Sequence, residues 1–578
     1  MNTESPPYPT SSSHKPPSRS CKECYRRKLK CDRAQTCSNC LRGCLTCVYT
    51  NEPIRRDRKS KRRAQESAKD TTPVLQPRPG RFLAGKHGKS RLLGDTCWAR
   101  PFIEPVGLND GQNDPTYHLP PSGTGNLFYE NFLFRKTAPR VPIEIANPSF
   151  CQIRQLWDIY VHNVDPLVKI LHKPSVERVL CDLSLSEDGP DPEIWALLLA
   201  ICYAAVSSLP SSQIRVEFAL DADNYVASFR AALEKALTDA QLLQTHDLRV
   251  IQAFAIYLTC LPRKEARSIA LLISLAVRIS RTMGLHRDGS IFKLPTFETE
   301  MRRRLWWYLC LLDWRAAEDA GLEITIMLST FDTKMPLNIN DDDMDITSSD
   351  IHGRHDYTEM AFSLIRYEAW SVLASWSSMN MHQEPAGIEE KKRAIENLST
   401  YLENTYINPY CQISTPFTRI LLMVTPLLMD KLRLIIMYPA YCDGTNGEVS
   451  LTLEDKNKLF RSAIDLLEFE QTLGADYELR GWRWFFANAH IQWHAMTFVL
   501  SELCVRVEGE VEHMAWDVIE RVFPSTPDRR DDNVWEPLQG LKQKALSTRY
   551  SITSQLSALF PSDTDDFVLD RSSLDWSW

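Results

Sequence analysis

The chain has 578 residues, 43% of them hydrophobic and 24% charged, which is typical of a globular protein and excludes a single compact core. Its net charge of −7 conceals an asymmetry: residues 15–64 hold 16 Lys and Arg against four Asp and Glu, while all other residues hold 51 against 70. This distribution favours a basic head that meets a polyanion and an acidic body that does not.

Neither a secretory signal nor a membrane span is indicated. The opening stretch, MNTESPPYPTSSSHKPP, is polar and lacks the apolar segment of a signal peptide. The longest uncharged stretch, 194–214, contributes only about a dozen apolar residues, fewer than the ~20 that cross a bilayer, and charges interrupt 420–439. We therefore expect no membrane partner and a reducing compartment, in which clustered cysteines bind metal instead of forming disulfides.

The composition divides the chain into five segments. Residues 1–19 are rich in Pro and Ser and predict disorder, and residues 20–48 hold a cysteine cluster. Residues 49–142 begin with a basic run and continue with recurring Pro and Gly, as in a linker. Residues 143–561 show helical periodicity, and residues 562–578 form an acidic-aromatic tail, a composition typical of an activation segment. No sustained apolar heptad follows the cysteines, so a homodimer stays open.

Helical periodicity runs through most of 143–561. Segments such as IWALLLAICYAAVSS and ARSIALLISLAVRISRTMGL carry apolar residues three, four and seven positions apart, and strand-like alternation is scarce. We therefore expect a large all-α domain or two fused helical lobes. In EMRRRLWWYLCLLDW, an apolar stripe from Met301 to Leu312 predicts an amphipathic helix. Its arginines and their candidate partners are Arg302, Arg303 and Arg304, with Glu298, Glu300 and Asp313.

Seven of the 16 cysteines lie in one short basic segment, and six of them follow the spacing C-x2-C-x6-C-x5-C-x2-C-x6-C. A C-x2-C pair lets two thiolates converge on one ion, and two tetrahedral ions need about eight ligand positions, so two sulfurs would have to bridge. Zinc suits such a site because it is redox-inert and can act as the core of a small segment. The predicted ligands are Cys21, Cys24, Cys31, Cys37, Cys40 and Cys47.

A disulfide knot, a redox site and a single-zinc ribbon are the alternatives for this cluster. Disulfide bonds are not expected in a reducing compartment. A redox site needs free thiolates, whereas thiolates in a structural zinc site are all bound to metal. A ribbon leaves Cys31 and Cys47 without a role. The seventh cysteine, Cys44, is either a spare small residue or an exchange ligand for Cys47.

Together with its basic loop, this stretch resembles the binuclear zinc cluster (Zn2Cys6) DNA-binding domain of fungal transcription regulators. The resemblance covers Cys21–Tyr49 and rests on CYRRKLKCD, CSNC and CVY. It implies a small metal-stabilised head of two short helices and loops that holds two Zn2+ ions. The family usually has proline before the fourth cysteine, where this chain has Thr36.

The resemblance also implies how the ligands are divided. The first and fourth cysteines bridge the two ions in that family, which assigns the shared positions to Cys21 and Cys37. The shell of each ion would then be completed by one further pair, Cys24 with Cys31 and Cys40 with Cys47.

Cationic side chains surround the cysteines. YRRKLK, before Cys31, predicts a short helix of the kind that the family places in the major groove of DNA. By resemblance, Arg27 and Lys28 read bases in a CGG-type triplet. A basic run alone is more often a solvated face, but zinc-binding cysteines beside it favour DNA. The candidate phosphate contacts are Lys22, Arg26, Lys30, Arg33 and Arg42.

A second basic run, IRRDRKSKRR, spans residues 54–63. It resembles a nuclear import signal, and the alternative is a linker that follows DNA phosphates. Its cationic residues are Arg55, Arg56, Arg58, Lys59, Lys61, Arg62 and Arg63.

The body resembles the middle homology region of the same fungal regulators. The resemblance rests on YVHNVDPLVKILHKPS, GLHRD, RRRLWW and MPLNINDDDM, and implies a regulatory domain. GLHRDG also invites a catalytic interpretation of His286, but a helix end at Gly284 followed by a turn is favoured.

The sequence therefore predicts a nuclear, sequence-specific DNA-binding regulator of RNA polymerase II transcription. Its expected partners are double-stranded DNA and the transcription machinery or co-regulators, and its targets would belong to a metabolic or secondary-metabolite gene cluster. One alternative is an enzyme with an accessory zinc nucleic-acid-binding domain, although no phosphate loop, nucleophile elbow or metalloprotease His pair is present. Another is a binder without sequence preference, which would interleave more aromatics than Tyr25 and Tyr49 among the basic residues. We predict that the chain is not an enzyme.

Overall fold

The computed structural model describes residues 20–21, 24, 30–34, 36–42, 46–49, 81–84, 90–93, 147–185, 189–218, 220–262, 265–345, 351–379, 387–410, 415–442, 452–489, 493–506, 509–523 and 535–559. The chain forms two compact units, Met1–Pro73 and Val74–Trp578, and each is described by itself. The tail at 562–578, the run at 54–63 and most of the predicted linker lie outside the described residues.

The first unit contains one described helix, α1, from Ser38 to Arg42. It begins directly after Cys37, and its first amide and hydroxyl groups both bond to the carboxylate of Asp32. Asp32 therefore satisfies donors that the start of a helix leaves unpaired. The second predicted helix of the head falls on residues outside those described.

A two-stranded antiparallel sheet lies within the range predicted as a linker. Strand β1 runs from Arg81 to Ala84 and strand β2 from Ser90 to Leu93. Arg81 pairs with Leu93 and Ala84 with Ser90. The second unit therefore contains a hairpin before its helices begin.

The described residues from 147 onward are mostly helical, as the periodicity of 143–561 predicts. The helices are α2 Phe150–Asn163, α3 Lys173–Leu185, α4 Pro192–Ser207, α5 Ser211–Phe218, α6 Ala222–Asp239, α7 Leu248–Cys260, α8 Ala266–Thr282, α9 Thr296–Ala320, α10 Ala361–Met379, α11 Ile388–Leu402, α12 Pro416–Cys442, α13 Leu453–Ala475, α14 Arg483–Ala489, α15 Trp493–Leu503, α16 Glu510–Val522 and α17 Trp535–Leu559. Short 3-10 or π turns lie at Leu242–Gln244, Gly289–Phe292, Leu328–Thr330, Asp341–Asp343, Glu403–Ile407, Asn408–Tyr410 and Arg480–Trp482.

Local side chains fix where several helices begin and end. Ser149 caps α2 in a reciprocal pair with Gln152, and Asp221 caps α6 by accepting the amide of Asn224. At the other end of a helix, Gly284 and Gly321 have φ values of 80° and 65°, which an L side chain rarely adopts. Gly284 thus ends helix α8. The helix end that the sequence predicts in GLHRDG is confirmed.

The core is one continuous cluster of buried apolar side chains that extends from α2 to α17. At its centre α4 is buried on every side and packs against α2, α6 and α7. Helix α9 is also buried around most of its circumference between Thr299 and Asp313. The sequence predicted burial along only one face of this helix. A helix that is apolar on several faces needs neighbours on each of them, which its position against α8 and α10 supplies.

No single helix in the described part of the chain is long and apolar enough to cross a membrane, although α4 and α5, bent by 114° at the break between them, satisfy the length and composition test as a pair.

Candidate functional site

The six predicted zinc ligands lie together in the first unit. Their sulfur atoms form two groups of four, and within each group all ligand atoms lie within 4.8 Å of one another. Both groups contain Cys21 and Cys37. One also contains Cys24 and Cys31, and the other Cys40 and Cys47, which is the grouping that the family resemblance implies.

The backbone holds the sulfurs in this arrangement. The amide of Cys24 donates to the Cys21 sulfur over 3.4 Å, which closes the first C-x2-C turn. The amide of Cys37 donates to the Cys47 sulfur over 3.3 Å and so ties the last cysteine to the start of α1. Cys40 lies within α1, one turn after Cys37. The spacing of the cysteines in the sequence therefore brings their sulfur atoms together.

The distances between the sulfurs suit a metal better than disulfide bonds. Cys37 has its sulfur 3.4 Å from that of Cys24 and 3.6 Å from that of Cys21, and all six cysteines are free thiols. A disulfide needs a separation of about 2.05 Å. Sulfurs that share a tetrahedral zinc at about 2.3 Å lie roughly 3.8 Å apart, close to the separations observed here. The all-sulfur donor set thus fits zinc in kind and in spacing.

The raised pKa values of the thiols at the centre of the cluster also favour a bound cation. Burial raises the pKa of the Cys24 thiol to about 12, and the Cys37 and Cys21 sulfurs add to the rise. Burial likewise raises the pKa of the Cys21 and Cys40 thiols. Closely packed thiols resist ionisation because each thiolate would repel the next. A divalent ion removes that repulsion and lets all of them act as thiolate ligands.

The two cysteines at the edge of the cluster ionise more easily. Burial raises the pKa of Cys31, but hydrogen bonds from the backbone of Cys21 and Arg33 outweigh it and lower this pKa to about 6. The backbone amide of Cys37 lowers the pKa of the Cys47 thiol. Both shifts favour the thiolate form, which is the form that binds a metal ion.

Tyr49 secures the loop between the two halves of the cluster. Its hydroxyl donates to the carbonyl oxygen of Ala34 over 2.8 Å and lies 3.6 Å from the Cys31 sulfur. Asn39 adds a side-chain hydrogen bond of 2.9 Å to the carbonyl oxygen of Lys30. Neither this role of Tyr49 nor the capping role of Asp32 was predicted from the sequence.

The loop takes an unusual path through Arg33 and Thr36, which have φ values of 62° and 69°. Positive φ is uncommon outside glycine and is least favourable for a β-branched residue such as threonine. Proline is fixed near −65° and could not adopt the observed conformation at position 36. Proline at position 36 would therefore require a different backbone conformation from the one that Thr36 adopts.

The structure describes only part of the predicted DNA-contacting set. Lys30 and Arg33 are exposed on the first unit, where a phosphate could reach them, and Arg42 lies in the last turn of α1. The other predicted contacts, and the seventh cysteine of the segment, fall outside the described residues. They are Lys22, Arg26, Arg27, Lys28 and Cys44.

Comparison with known proteins identifies the body of the chain. Residues 157–405 match the family described as "Fungal specific transcription factor domain". The chain is also similar to the aurofusarin cluster transcription factor of Gibberella zeae, with 28% identity over 92% of this chain and 80% of that protein. A C6 finger domain transcription factor of Trichophyton verrucosum shares 27% identity over 87% of this chain and 82% of its own length. A C6 finger domain transcription factor of Aspergillus niger shares 30% identity over 64% of this chain and 50% of its own length.

This chain contains a fungal-specific transcription factor domain, at residues 157–405. The family match and the names of the relatives agree with the resemblance drawn from the cysteine cluster and from the motifs of the body. They describe a DNA-binding transcriptional regulator and give no support to the alternative of an enzyme.

In the transcription factor domain, buried charges join motifs that are far apart in the sequence. Lys169 contacts the carboxylates of Asp165, Asp341 and Glu359 at 2.6, 2.9 and 2.6 Å. These three carboxylates lie close enough to bind a metal ion, but the Lys169 ammonium is the cation that they share. The ammonium of Lys169 therefore occupies the place that a metal ion would take among these carboxylates.

The three consecutive arginines of α9, Arg302 to Arg304, lie in the same region. Arg302 pairs with Glu298 at 2.9 Å and Arg304 with Glu300 at 3.4 Å, as their helical spacing predicts. Asp313, the third acid considered, instead accepts hydrogen bonds from Thr325 and the amide of Ile326. Two longer-range partners were missed because the sequence gives no signal for them. They are Asp288 for Arg303 and Asp341 for Arg304.

Proposed function

We propose that residues 20–48 of this transcription factor form a binuclear zinc cluster that binds DNA. The observation that carries the proposal is the pair of four-sulfur groups that share two of their members. In this arrangement Cys21 and Cys37 bridge two zinc ions, and zinc supplies the rigid core that so short a segment lacks. One terminal pair of thiolates completes each shell, Cys24 with Cys31 and Cys40 with Cys47.

We further propose that the basic residues of this head divide into two roles. Arg27 and Lys28 enter the major groove and donate hydrogen bonds to guanine O6 and N7 in a CGG-type triplet. The remaining cations bind phosphates, which fixes the register without reading sequence. Exposure of Lys30 and Arg33 supports a phosphate role for these two. The other proposed phosphate contacts are Lys22, Arg26 and Arg42.

The regions outside the head take the remaining roles in our proposal. The run at 54–63 directs import into the nucleus, where the protein acts on its target promoters. The large all-α domain regulates, and the acidic-aromatic tail at 562–578 contacts the transcription machinery or co-regulators. Whether two copies pair on DNA depends on the half-site spacing, which the sequence does not encode.

The targets that we propose are the genes of a biosynthetic cluster. The Gibberella zeae relative is named as the regulator of the aurofusarin cluster, and its similarity covers nearly the whole of this chain. Similarity over 92% of the chain supports a related type of target.

Metal content of the purified full-length chain tests the proposal. We expect two zinc ions per chain by inductively coupled plasma mass spectrometry. Cys37→Ser removes a ligand from both shells and should reduce the content to less than one ion, whereas Cys40→Ser removes a ligand from one shell and should leave about one ion. Cys151→Ser is the control, because Cys151 is an exposed free thiol outside the head.

DNA binding of the same preparations completes the test. Chelation with 1,10-phenanthroline should abolish binding to a duplex that contains CGG triplets, and added zinc should restore it. One zinc per chain, equal metal loss in the Cys37 and Cys40 variants, or DNA binding that survives removal of all zinc would each refute the binuclear assignment.

A further inference from the structure

The turn between α8 and α9 presents a hydroxyl group that none of the proposed functions uses. The motif GLHRDG leads into the 3-10 turn Gly289–Phe292, and Ser290 within this turn is exposed. Arg287 lies three residues before Ser290, and no other serine of the sequence follows an arginine at that distance. The turn therefore combines an accessible hydroxyl with a cation at a fixed position before it.

The side chains on both sides of Ser290 are accessible as well. Arg287 has 50% of its side chain exposed and pairs with Asp332 at the surface, over 2.8 Å. Ile291 and Phe292, which follow Ser290 directly, are 55% and 57% exposed. Adjacent apolar side chains at a surface are a feature of sites that another protein contacts. A guanidinium beside them binds two carboxylate oxygens at once, so an enzyme with an acidic pocket can select this sequence.

Ser290 belongs to a hydrogen-bond network centred on Asp288. The Ser290 hydroxyl donates to Oδ1 of Asp288 over 2.5 Å, and the Ser290 amide donates to the same oxygen over 3.2 Å. Asp288 also accepts two hydrogen bonds from Arg303 of α9, at 2.8 and 2.9 Å, and one of 2.9 Å from the amide of Lys334. One buried carboxylate thus joins the turn, α9 and the connection that follows α9.

We propose that Ser290 is a phosphorylation site for a protein kinase that selects an arginine three residues before its acceptor, and that the phosphate loosens the contacts of Asp288. The Ser290 hydroxyl oxygen bonds to the γ-phosphorus of MgATP, the bond from that phosphorus to the β–γ bridging oxygen breaks, and ADP leaves with the electron pair. The hydroxyl proton passes to a carboxylate of the kinase. This modification goes beyond the proposed DNA recognition and does not depend on it.

The phosphate changes the network in two ways. It replaces the hydroxyl proton that Asp288 accepts, and it places a further charge of about −1.5 to −2 beside the Asp288 carboxylate, which repels it. Phosphate oxygens also accept hydrogen bonds from guanidinium groups, so they compete with Asp288 for Arg303. The carboxylate therefore holds the amide of Lys334 less firmly, and the connection after α9 opens more often.

The loosened connection leads to the buried charges of the transcription factor domain. Lys334 lies seven positions before Asp341 in the sequence. Asp341 contacts Lys169 at 2.9 Å and Arg304, the neighbour of Arg303 on α9, at 2.7 Å. Both ends of this stretch are thus fixed to adjacent arginines of one helix. A phosphate at the surface therefore acts on a segment that joins distant parts of the domain.

Incubation of the full-length chain with MgATP and calcium/calmodulin-dependent protein kinase II, a kinase of this selectivity, tests the modification. Tandem mass spectrometry locates the phosphate. We expect phosphate on Ser290, and we expect Arg287→Gln to slow its addition roughly ten-fold or more, because the kinase loses the cation that it selects. Arg278→Gln, at an exposed arginine of α8, should leave the rate within about two-fold. No phosphate on Ser290, or equal rates in the unaltered chain and Arg287→Gln, would overturn the proposal.

Ser290→phosphoserine, introduced during translation, tests the effect of the phosphate without a kinase. Hydrogen–deuterium exchange should show amides around Lys334 exchanging roughly ten-fold faster than in the unaltered chain. Ser290→Ala removes the hydroxyl without adding charge and should give a smaller increase. Ser212→phosphoserine, at an exposed position of α5, should give none. Unchanged exchange around Lys334 in Ser290→phosphoserine would overturn the proposed loosening. Because no DNA is present, these results are independent of the DNA-binding test.

Discussion

Lys169 and Asp341 are in contact inside the transcription factor domain, with 2.9 Å between the ammonium nitrogen and a carboxylate oxygen, although 172 positions separate them in the chain. The other oxygen of Asp341 accepts a hydrogen bond of 2.7 Å from Arg304. All three side chains are buried. They come from YVHNVDPLVKILHKPS, MPLNINDDDM and RRRLWW, so three motifs that identify the family meet at one carboxylate.

Asp341→Asn should destabilise the domain by about 3–5 kcal/mol, because it leaves the buried charges of Lys169 and Arg304 without their shared partner. The neighbouring acid, Asp342, is exposed and provides a matched control. Asp342→Asn should change stability by about 0.5 kcal/mol or less. Urea unfolding followed by tryptophan fluorescence measures both. Similar midpoints for the two variants would show that Asp341 does not hold these motifs together.

A second buried acid predicts a dependence on pH. Asp288 accepts two hydrogen bonds from Arg303, at 2.8 and 2.9 Å, and one from the amide of Lys334 at 2.9 Å. Burial acts to raise the pKa of Asp288, but these contacts outweigh it and hold the pKa below its ordinary value of 3.8. The folded state therefore binds this proton less readily than the unfolded state. The resulting stabilisation is present above pH 3.8 and is lost as the pH falls through the lower, folded-state pKa.

We therefore expect Asp288→Asn to cost about 2–3 kcal/mol at pH 7 and progressively less below about pH 4. Urea midpoints at pH 7, 5, 4 and 3 follow the difference between the variant and the unaltered chain. Asp239→Asn, at an exposed position on α6, should cost no more than about 0.5 kcal/mol throughout. A difference for Asp288→Asn that stays constant or widens toward pH 3 would contradict the assigned direction of the shift.

The sequence predicted the helices better than their partners, for a physical reason. Helical spacing places Glu298 four residues before Arg302, so periodicity alone indicates that pair. Arg303 reaches Asp288 only because Gly284 ends α8 and the chain then turns back beside α9. Such contacts depend on the path of whole connections, which no local pattern encodes.

The same distinction applies to the two sites. The cysteine spacing indicates convergence of the sulfurs because two or six intervening residues constrain their distances directly. At Ser290 the sequence shows an arginine three residues before the hydroxyl, but the contact of Asp288 with Arg303 depends on the path of the chain between α8 and α9. For Thr36 the prediction was partial. The sequence shows that threonine replaces the proline usual in the family, but it does not predict the positive φ at this position.

Thr36→Gly should strengthen retention of zinc, because glycine adopts positive φ without the strain of about 1–2 kcal/mol that a side chain incurs. Thr36→Pro should weaken it, since proline cannot reach the observed φ of 69°. Competition with the chelator 4-(2-pyridylazo)resorcinol measures both. Thr46→Gly is the control, because Thr46 is exposed and its φ is not positive. Equal zinc retention in the Gly and Pro variants of Thr36 would show that the strain at this position has no effect.

Lys28→Ala should distinguish reading of bases from binding of phosphates. If Lys28 donates to guanine, its loss should cost about 1–3 kcal/mol on a duplex with CGG triplets and much less on a scrambled duplex. Lys30→Ala is the matched control, because Lys30 lies on the same short segment and is proposed to contact phosphate. Its loss should weaken both duplexes equally and reduce the salt dependence of binding. Fluorescence anisotropy at several salt concentrations measures these effects. An equal loss on both duplexes for Lys28→Ala would move this residue to the phosphate-binding set, while the zinc cluster itself would stay untouched by that result.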